Sequence, residues 1–314
     1  MSDDGGVLVC GEALIDVLEN GDGIQHRTAG GGPFNTARAL ARLGVPTSFL
    51  GRLSTDSSGR ELARLLGADG VDLNLATFGP EPTTTAIAHV DGDGLAEYEF
   101  VVEGTSAPNL TMAMVPEQLP AGISALHVGT LGLALEPMAS TLTALIKREC
   151  RRLPIMLDPN IRAAAVSDPA YRERLQSVVS VASIVKASVD DLAWLYPGID
   201  YRAATRRMLG LGVRLVVVTL GASGAFGATE NVSVAVAAPE VDVVDTIGAG
   251  DTFGAALLTR LYDLDAVTLG MKLDITQVDS ALRFACLAAA ITCTRAGANS
   301  PYRAELQQSL DTFM

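Results

Sequence analysis

Short apolar runs that each end in a polar cluster recur along this chain, and they leave few architectures open. Residues 125–128 precede a helical pattern over 138–150. Residues 155–157 lead into Asp158-Pro159-Asn160-Ile161-Arg162. Residues 184–186 lead into Ser188-Val189-Asp190-Asp191 and a helix through Leu192 and Leu195, and residues 215–219 lead into Gly221-Ala222-Ser223-Gly224. The N-terminal half repeats the order. A strand over 7–11 is followed by a helix with Ala37, Leu40 and Ala41 on one face, stopped by Gly44. A strand over 47–53 follows, then a helix capped by Asp56 and ended by Gly67. Such alternation predicts an α/β sandwich with a mostly parallel sheet. Ligands of open parallel sheets bind beyond the carboxyl ends of the strands, so these polar clusters converge on one crevice.

Residues 83–90 and 95–102 break the rhythm. They flank Asp91-Gly92-Asp93-Gly94, a hairpin signal. A two-stranded hairpin does not stand alone, and the segment from Ile15 to Thr28 can supply another strand. The expectation is one domain over 1–314 with a small β-sheet lid, formed by approximately 12–30 and 83–104, that closes over a site and excludes water. The hairpin's need to bury a face also suggests a homodimer.

Asp245-Thr246-Ile247-Gly248-Ala249-Gly250-Asp251-Thr252-Phe253-Gly254 carries the chemistry. Val241, Val243 and Val244 precede it as a β-branched run; Phe253, Leu257, Leu258 and Leu261 follow on one helical face. The pattern predicts strand, glycine turn and helix start. That turn aims free N–H groups and the positive end of the helix dipole at one spot, which suits an anion. A carboxylate there is repelled by the anion, and a general base explains why Asp251 is present. A glycine turn whose aspartate only caps the helix is the plainer alternative. A dinucleotide fingerprint is disfavoured by the spacing of Gly248, Gly250 and Gly254, and no Walker loop occurs.

A second glycine turn, Ala29-Gly30-Gly31-Gly32-Pro33-Phe34-Asn35, allows close backbone approach to a small ligand. Asn35 there either caps a helix or bonds that ligand. Glu12 and Asp16 follow the first strand, and Asp16 suits neighbouring hydroxyls of a polyol. The 314 residues are 48% hydrophobic and 19% charged, with a formal net charge of −13. No basic run suggests nucleic acid, and no apolar stretch is long enough for a bilayer. The acidic N-terminus is unlike a signal peptide, and four cysteines without C-x-x-C spacing read as buried thiols of a cytoplasmic protein. The three histidines are too scattered for a metal site.

With these pieces in order, the chain resembles the ribokinase-like (PfkB) family of carbohydrate kinases from Val7 to about Ser300, and fructokinases most closely within it. Gly30-Gly31 with Asn35 and the D-T-x-G-A-G-D signature at 245–251 carry the resemblance. Gly11-Glu12-Ala13-Leu14-Ile15-Asp16, Asp158-Pro159-Asn160-Ile161-Arg162 and Lys186-Ala187-Ser188 carry the fructokinase leaning. The resemblance implies a three-layer α/β/α fold and transfer of the γ-phosphoryl of ATP, with Mg²⁺, to a primary hydroxyl of a ketose, fructose foremost. 2-Keto-3-deoxygluconate, ribose, another sugar or a nucleoside as acceptor, or a non-catalytic sugar binder, remain alternatives. It makes Asp251 the base and the amides of Gly248, Ala249, Gly250 and Asp251 the anion hole. Asp16, Gly31, Gly32, Asn35, Asn160 and Arg162 would face the substrate, and Thr219, Gly221 and Gly224 the nucleotide. Asp245, with backbone around Ile247 and Arg295–Gly297, would hold a monovalent cation such as K⁺. The family's N-x-x-E motif is replaced by Ser188-Val189-Asp190-Asp191, so the magnesium-bound phosphates would meet Ser188 and a shorter acid, Asp191.

Overall fold

The structure, a computed structural model, describes residues 6–19, 25–90, 96–166 and 168–313. Its layout is set by β1 (Gly6–Cys10), in which every residue is buried. Val7 and Val9 join one hydrophobic core and Leu8 and Cys10 the other, the period of two expected of a strand covered on both faces. The chain continues through β2 (Leu14–Glu19), β3 (Gln25–Gly30), α1 (Gly32–Arg42), β4 (Thr47–Leu50), β5 (Arg52–Ser54), α2 (Ser57–Ala68), β6 (Thr77–Gly79), β7 (Thr85–Val90) and β8 (Ala96–Val101). Next come β9 (Ile123–Gly129), α3 (Met138–Glu149), β10 (Ile155–Asp158), α4 (Tyr171–Val179), β11 (Ile184–Ser188), α5 (Val189–Leu195), α6 (Tyr201–Gly210) and β12 (Leu215–Thr219). The chain closes with β13 (Ala225–Ala228), β14 (Ser233–Val236), α7 (Ala249–Asp263), α8 (Ile275–Cys293) and α9 (Arg303–Phe313).

Eight strands form the main sheet in the order β14-β13-β12-β11-β10-β9-β1-β4. Neighbours from β12 to β4 are parallel, and β13 and β14 add an antiparallel edge. One face is covered by α1, α2, α7 and α8, the other by α3, α4, α5 and α6. This is the three-layer α/β/α sandwich expected. Within it, fully burying Phe34 or Leu40 of α1 contributes roughly 1.5–3 kcal/mol each. Strand order reverses between β9 and β1, so a crevice opens at their carboxyl ends. Among the described residues no helix is long and apolar enough to cross a membrane.

A separate four-stranded sheet has the order β3-β2-β7-β8. The N-terminal segment supplies two strands to it, not one. Ile15 and Val17 of β2 are buried in the first core, whereas Leu18 and Val101 are exposed. The turn at 91–94 lies outside the described residues.

Cys10 and Cys286 are buried as expected, whereas Cys150 and Cys293 are only partly so. Two expected strands also differ. The predicted strand over 47–53 breaks at Gly51, where a Cβ would meet the Gly11 carbonyl oxygen at 2.5 Å. The chain bends there, and β5 pairs with β6 in a two-stranded sheet of its own. The β-branched run before the signature is no strand. The amides of Val244 and Asp245 donate to the Cys293 carbonyl at 2.8 and 3.2 Å, and Val243 and Val244 are 63% and 65% exposed. β-branched residues favour strands through packing against neighbours, and this segment has no sheet beside it.

Candidate active site

Glu12 directly follows β1 at the switch point, and it is fully buried. Its Oε1 accepts a hydrogen bond from the Gly32 amide at 3.2 Å and its Oε2 one from the Gly132 amide at 3.0 Å. One carboxyl group thus ties the start of α1 to the segment after β9. Burial pushes it up to about 8; its amide partners pull the other way, and Asp251 nearby adds to the rise. Gly31 caps α1 with φ of 106°, a backbone region that favours glycine. A Cβ on Gly32 would collide with Thr130 Oγ1 and lie 3.2 Å from Asn160 Nδ2.

Because α1 begins at Gly32, Asn35 lies inside the helix and does not cap it. Its buried side chain points at α7 instead, where Nδ2 donates to Asp251 Oδ2 at 2.9 Å. Asn35 Oδ1 is buried without a partner. Asn160 Nδ2 approaches the other oxygen, Asp251 Oδ1, at 3.3 Å and Thr130 Oγ1 at 3.4 Å. Thr130 and Asn160 both have positive φ, 50° and 38°. For β-branched Thr130 this is a strained conformation. Strain therefore collects where the carboxylate is gripped.

Asp251 is the third residue of α7, after a left-handed N-cap at Gly248 that packs on Ala298. Burial raises its pKa, opposed by the Asn35 hydrogen bond and the charges of Lys186 and Arg162. The first amides of a helix have no partner within it. Here the Ala249 amide turns back to the Thr246 carbonyl at 3.2 Å, which leaves those of Gly248, Gly250 and Asp251 free among the described residues. Of the four amides expected to meet an anion, three have no backbone partner among the described residues and that of Ala249 has one.

Around this centre the structure gathers most of the predicted residues. Asp16 of β2 lies over Gly30. Burial pushes it up to about 6, against the opposite charge of Arg162, and Asp251 raises it further. The exposed Arg162 therefore stands within electrostatic reach of both acids. Ser188 and Asp191 form a capping box at α5. Asp191 Oδ2 accepts from the Ser188 amide at 2.8 Å and the Ser188 hydroxyl at 2.7 Å, while its Oδ1 accepts from the Ile161 amide at 2.7 Å. The short acid is thereby occupied in holding the β10 and β11 ends together.

Thr219 ends β12. Gly221 follows with φ of 58° and open space where a Cβ would stand, and Gly224, with φ of 96°, lies against β14. Asp245 Oδ1 accepts from the Ile247 amide at 3.0 Å and its Oδ2 from the Gly297 amide at 2.8 Å, which joins the signature loop to 295–297. The Arg295 side chain turns away to Glu305 of α9 at 2.8 Å. A nucleotide with its phosphates fits this set of donors: free helix amides, an open glycine at 221, and no side chain on Gly248 or Gly250.

Sequence reading passed over Glu12 as an anchor, Thr130, and a buried ion pair between Lys186 Nζ and Asp158 Oδ2 at 2.9 Å. Asp158 and Lys186 stand in the sequence as charges at the ends of otherwise apolar runs, with nothing there to pair them.

A carboxylate gripped beside free helix amides, at the switch point of an α/β sandwich, has the build of a small-molecule kinase. Residues 6–305 match the pfkB family of carbohydrate kinases. A fructokinase of Rhizobium leguminosarum bv. trifolii is 40% identical over 81% of this chain and 79% of its own length. One of Klebsiella pneumoniae is 32% identical over 98% and 99%. The crystal structure of a fructokinase from Vibrio cholerae O395 in fructose, ADP and calcium ion bound form superposes with a TM-score of 0.85, at 29% identity over 98% of this chain and 99% of that one. The chain belongs to the pfkB family of carbohydrate kinases, and it is an ATP-dependent sugar kinase.

Proposed function

We propose that this kinase phosphorylates fructose on a primary hydroxyl to give fructose 6-phosphate, with Asp251 as the general base. The grip of Asn35 and Asn160 on Asp251 beside three free amides carries the reading. The fructokinase relatives support the acceptor. The sugar hydroxyl gives its proton to Asp251 as its oxygen bonds to the γ-phosphorus. The bond from that phosphorus to the bridging oxygen breaks, and ADP leaves with the electron pair. Asp16 and the free Oδ1 of Asn35 receive sugar hydroxyls, while Gly31 and Gly32 let the sugar approach the backbone. Asn160 and Arg162 sit at the sugar–phosphoryl boundary. The amides of Gly248, Gly250 and Asp251 receive the developing charge. Magnesium bound with ATP supplies charge neutralisation on the phosphates.

Thr219, Gly221 and Gly224 line the nucleotide side, and Ser188 and Asp191 shape its floor. A potassium ion beside Asp245, with backbone at Ile247, Arg295 and Gly297, would order the signature loop. The four-stranded sheet serves as a lid, and exposed Leu18 and Val101 favour its use in a cytoplasmic homodimer. The test is ADP release with Mg²⁺ and K⁺ against a panel of sugars and nucleosides. Turnover on fructose alone, reduced ~10²–10⁴-fold in Asp251→Asn with ATP binding kept, is expected. Preference for another acceptor refutes the substrate, and near-normal turnover of the variant refutes the base.

A further inference from the structure

Lys186 is the one lysine or arginine buried to this degree among the described residues. An ammonium buried in a central strand is costly, and a hydrophobic residue would fill the place well. Its position gives a reason. A Cβ on Gly250 would meet Lys186 Nζ at 3.3 Å. A Cβ on Gly254 would meet Asp158 Oδ2 at 3.6 Å and Lys186 Cδ at 4.0 Å. The ion pair therefore lies directly against the first turn of α7, the turn that carries Asp251 and the free amides. The pair is also unsaturated, since Asp158 Oδ1 is buried with no partner.

We propose that Lys186 is a positioning residue of the transfer step: fixed by Asp158 behind the first turn of α7, its ammonium keeps Asp251 ionised and holds that turn toward the phosphoryl group, resting on the reading of Asp251 as the base. The charges around Asp251 come from every side of the crevice. They are Glu12 after β1, Asp16 from β2, Asp158 and Arg162 from the end of β10, and Lys186 from β11, which also feels Asp191 of α5. Three of the five groups that act directly on the carboxylate, Glu12, Asp16 and Asp158, are acids. Without Lys186, the Asn35 hydrogen bond would be left with one opposing charge, that of Arg162, which is exposed to solvent. Burial acts to lower the Lys186 pKa, but the acids Asp158, Asp251 and Asp191 outweigh it and hold the ammonium charged.

The experiment is the pH dependence of kcat/KM for the sugar, whose acid limb reports deprotonation of the base. Two substitutions of opposite electrostatic sign are compared, with thermal melts to establish folding. Lys186→Met removes the cation and is expected to move the acid limb up by about one pH unit, a tenfold loss on the limb that recovers at higher pH. Asp158→Asn removes an acid, keeps a group able to accept from Lys186, and is expected to move the limb down. A shift in opposite directions is not what general loosening would give. An acid limb unmoved in folded Lys186→Met, or moved up in Asp158→Asn, overturns the proposal. If Lys186→Met does not fold, the direction in Asp158→Asn decides alone. Turnover surviving in Asp251→Asn would sink the base itself; an inactive Asp251→Asn with unmoved limbs sinks only the role of Lys186.

Discussion

Adding one methyl group at Gly32 tests how rigidly Asp251, the proposed base, is held. The Cβ of Gly32→Ala would land on Thr130 Oγ1, 3.3 Å from Thr130 Cβ and 3.2 Å from Asn160 Nδ2. Thr130 must yield by roughly 1 Å to restore van der Waals spacing. It has little freedom to do so, because its φ of 50° already lies in a strained region and its hydroxyl contacts Asn160. The displacement passes to Asn160 and so to Asp251 Oδ1. Overpacking of this size costs about 1–3 kcal/mol of stability, and a misplacement of ~1 Å at the reacting groups costs on the order of 10²-fold in rate. Steady-state ADP release should show kcat down by about two decades, with a melting temperature lowered but a cooperative transition kept. Thr130→Ala removes the oxygen that the methyl strikes, so Gly32→Ala with Thr130→Ala should recover much of the lost rate. A single variant with kcat within about threefold of wild type, or a double variant no better than the single, would refute the mechanical chain from Gly32 to Asp251.

Two further outcomes follow from buried acids. Glu12→Gln leaves one of the amides of Gly32 and Gly132 without an acceptor and should cost about 1–3 kcal/mol. Because the folded-state pKa of Glu12 is raised from 4.5 to about 8, its contribution is complete below pH 4.5 and lost as pH rises through about 8. Denaturant titrations should therefore show a deficit for Glu12→Gln that narrows from pH 5 to pH 8, and parallel curves would contradict this. Asp16, pushed up to about 6, would, as the proposed sugar-binding acid, accept hydroxyls best when ionised. The sugar KM should rise as pH falls below about 6 while the ATP KM moves less, and Asp16→Asn should stay weak-binding at every pH. A pH-dependent sugar KM in that variant would remove Asp16 from the binding site.

The sandwich was legible because parallel strands covered on both faces leave uninterrupted apolar runs, and the polar clusters at 158–162, 188–191 and 219–224 mark their carboxyl ends. Local chemistry could not show what those residues would touch. Asn35 reads equally as a cap or a ligand group until α1 is seen to start at Gly32, because the choice depends on a partner on α7. Val243 and Val244 look like a strand since propensity says nothing of whether a neighbouring strand exists. The side chain of Asp191 closes the box with Ser188 and reaches the Ile161 amide, a contact across two strand ends that spacing along the chain does not announce. The Lys186–Asp158 pair escaped notice for a related reason. A lone charge in a short strand usually marks its solvent face, and only the sheet order shows β10 and β11 as inner neighbours.

The hydrogen bond between Asn35 and Asp251 spans 216 positions of sequence. The groups that would greet the sugar are made early in synthesis, and the base that would act on it comes near the end. A chain still emerging from the ribosome, or cut short before α7, can therefore have part of a sugar pocket but has no group to activate the hydroxyl. Nor does it have the amides that would draw the γ-phosphate. Long-range closure of this kind is slow to form, and it makes turnover a late event in folding. Recovery of activity on refolding would then report closure of the contact between Asn35 and Asp251.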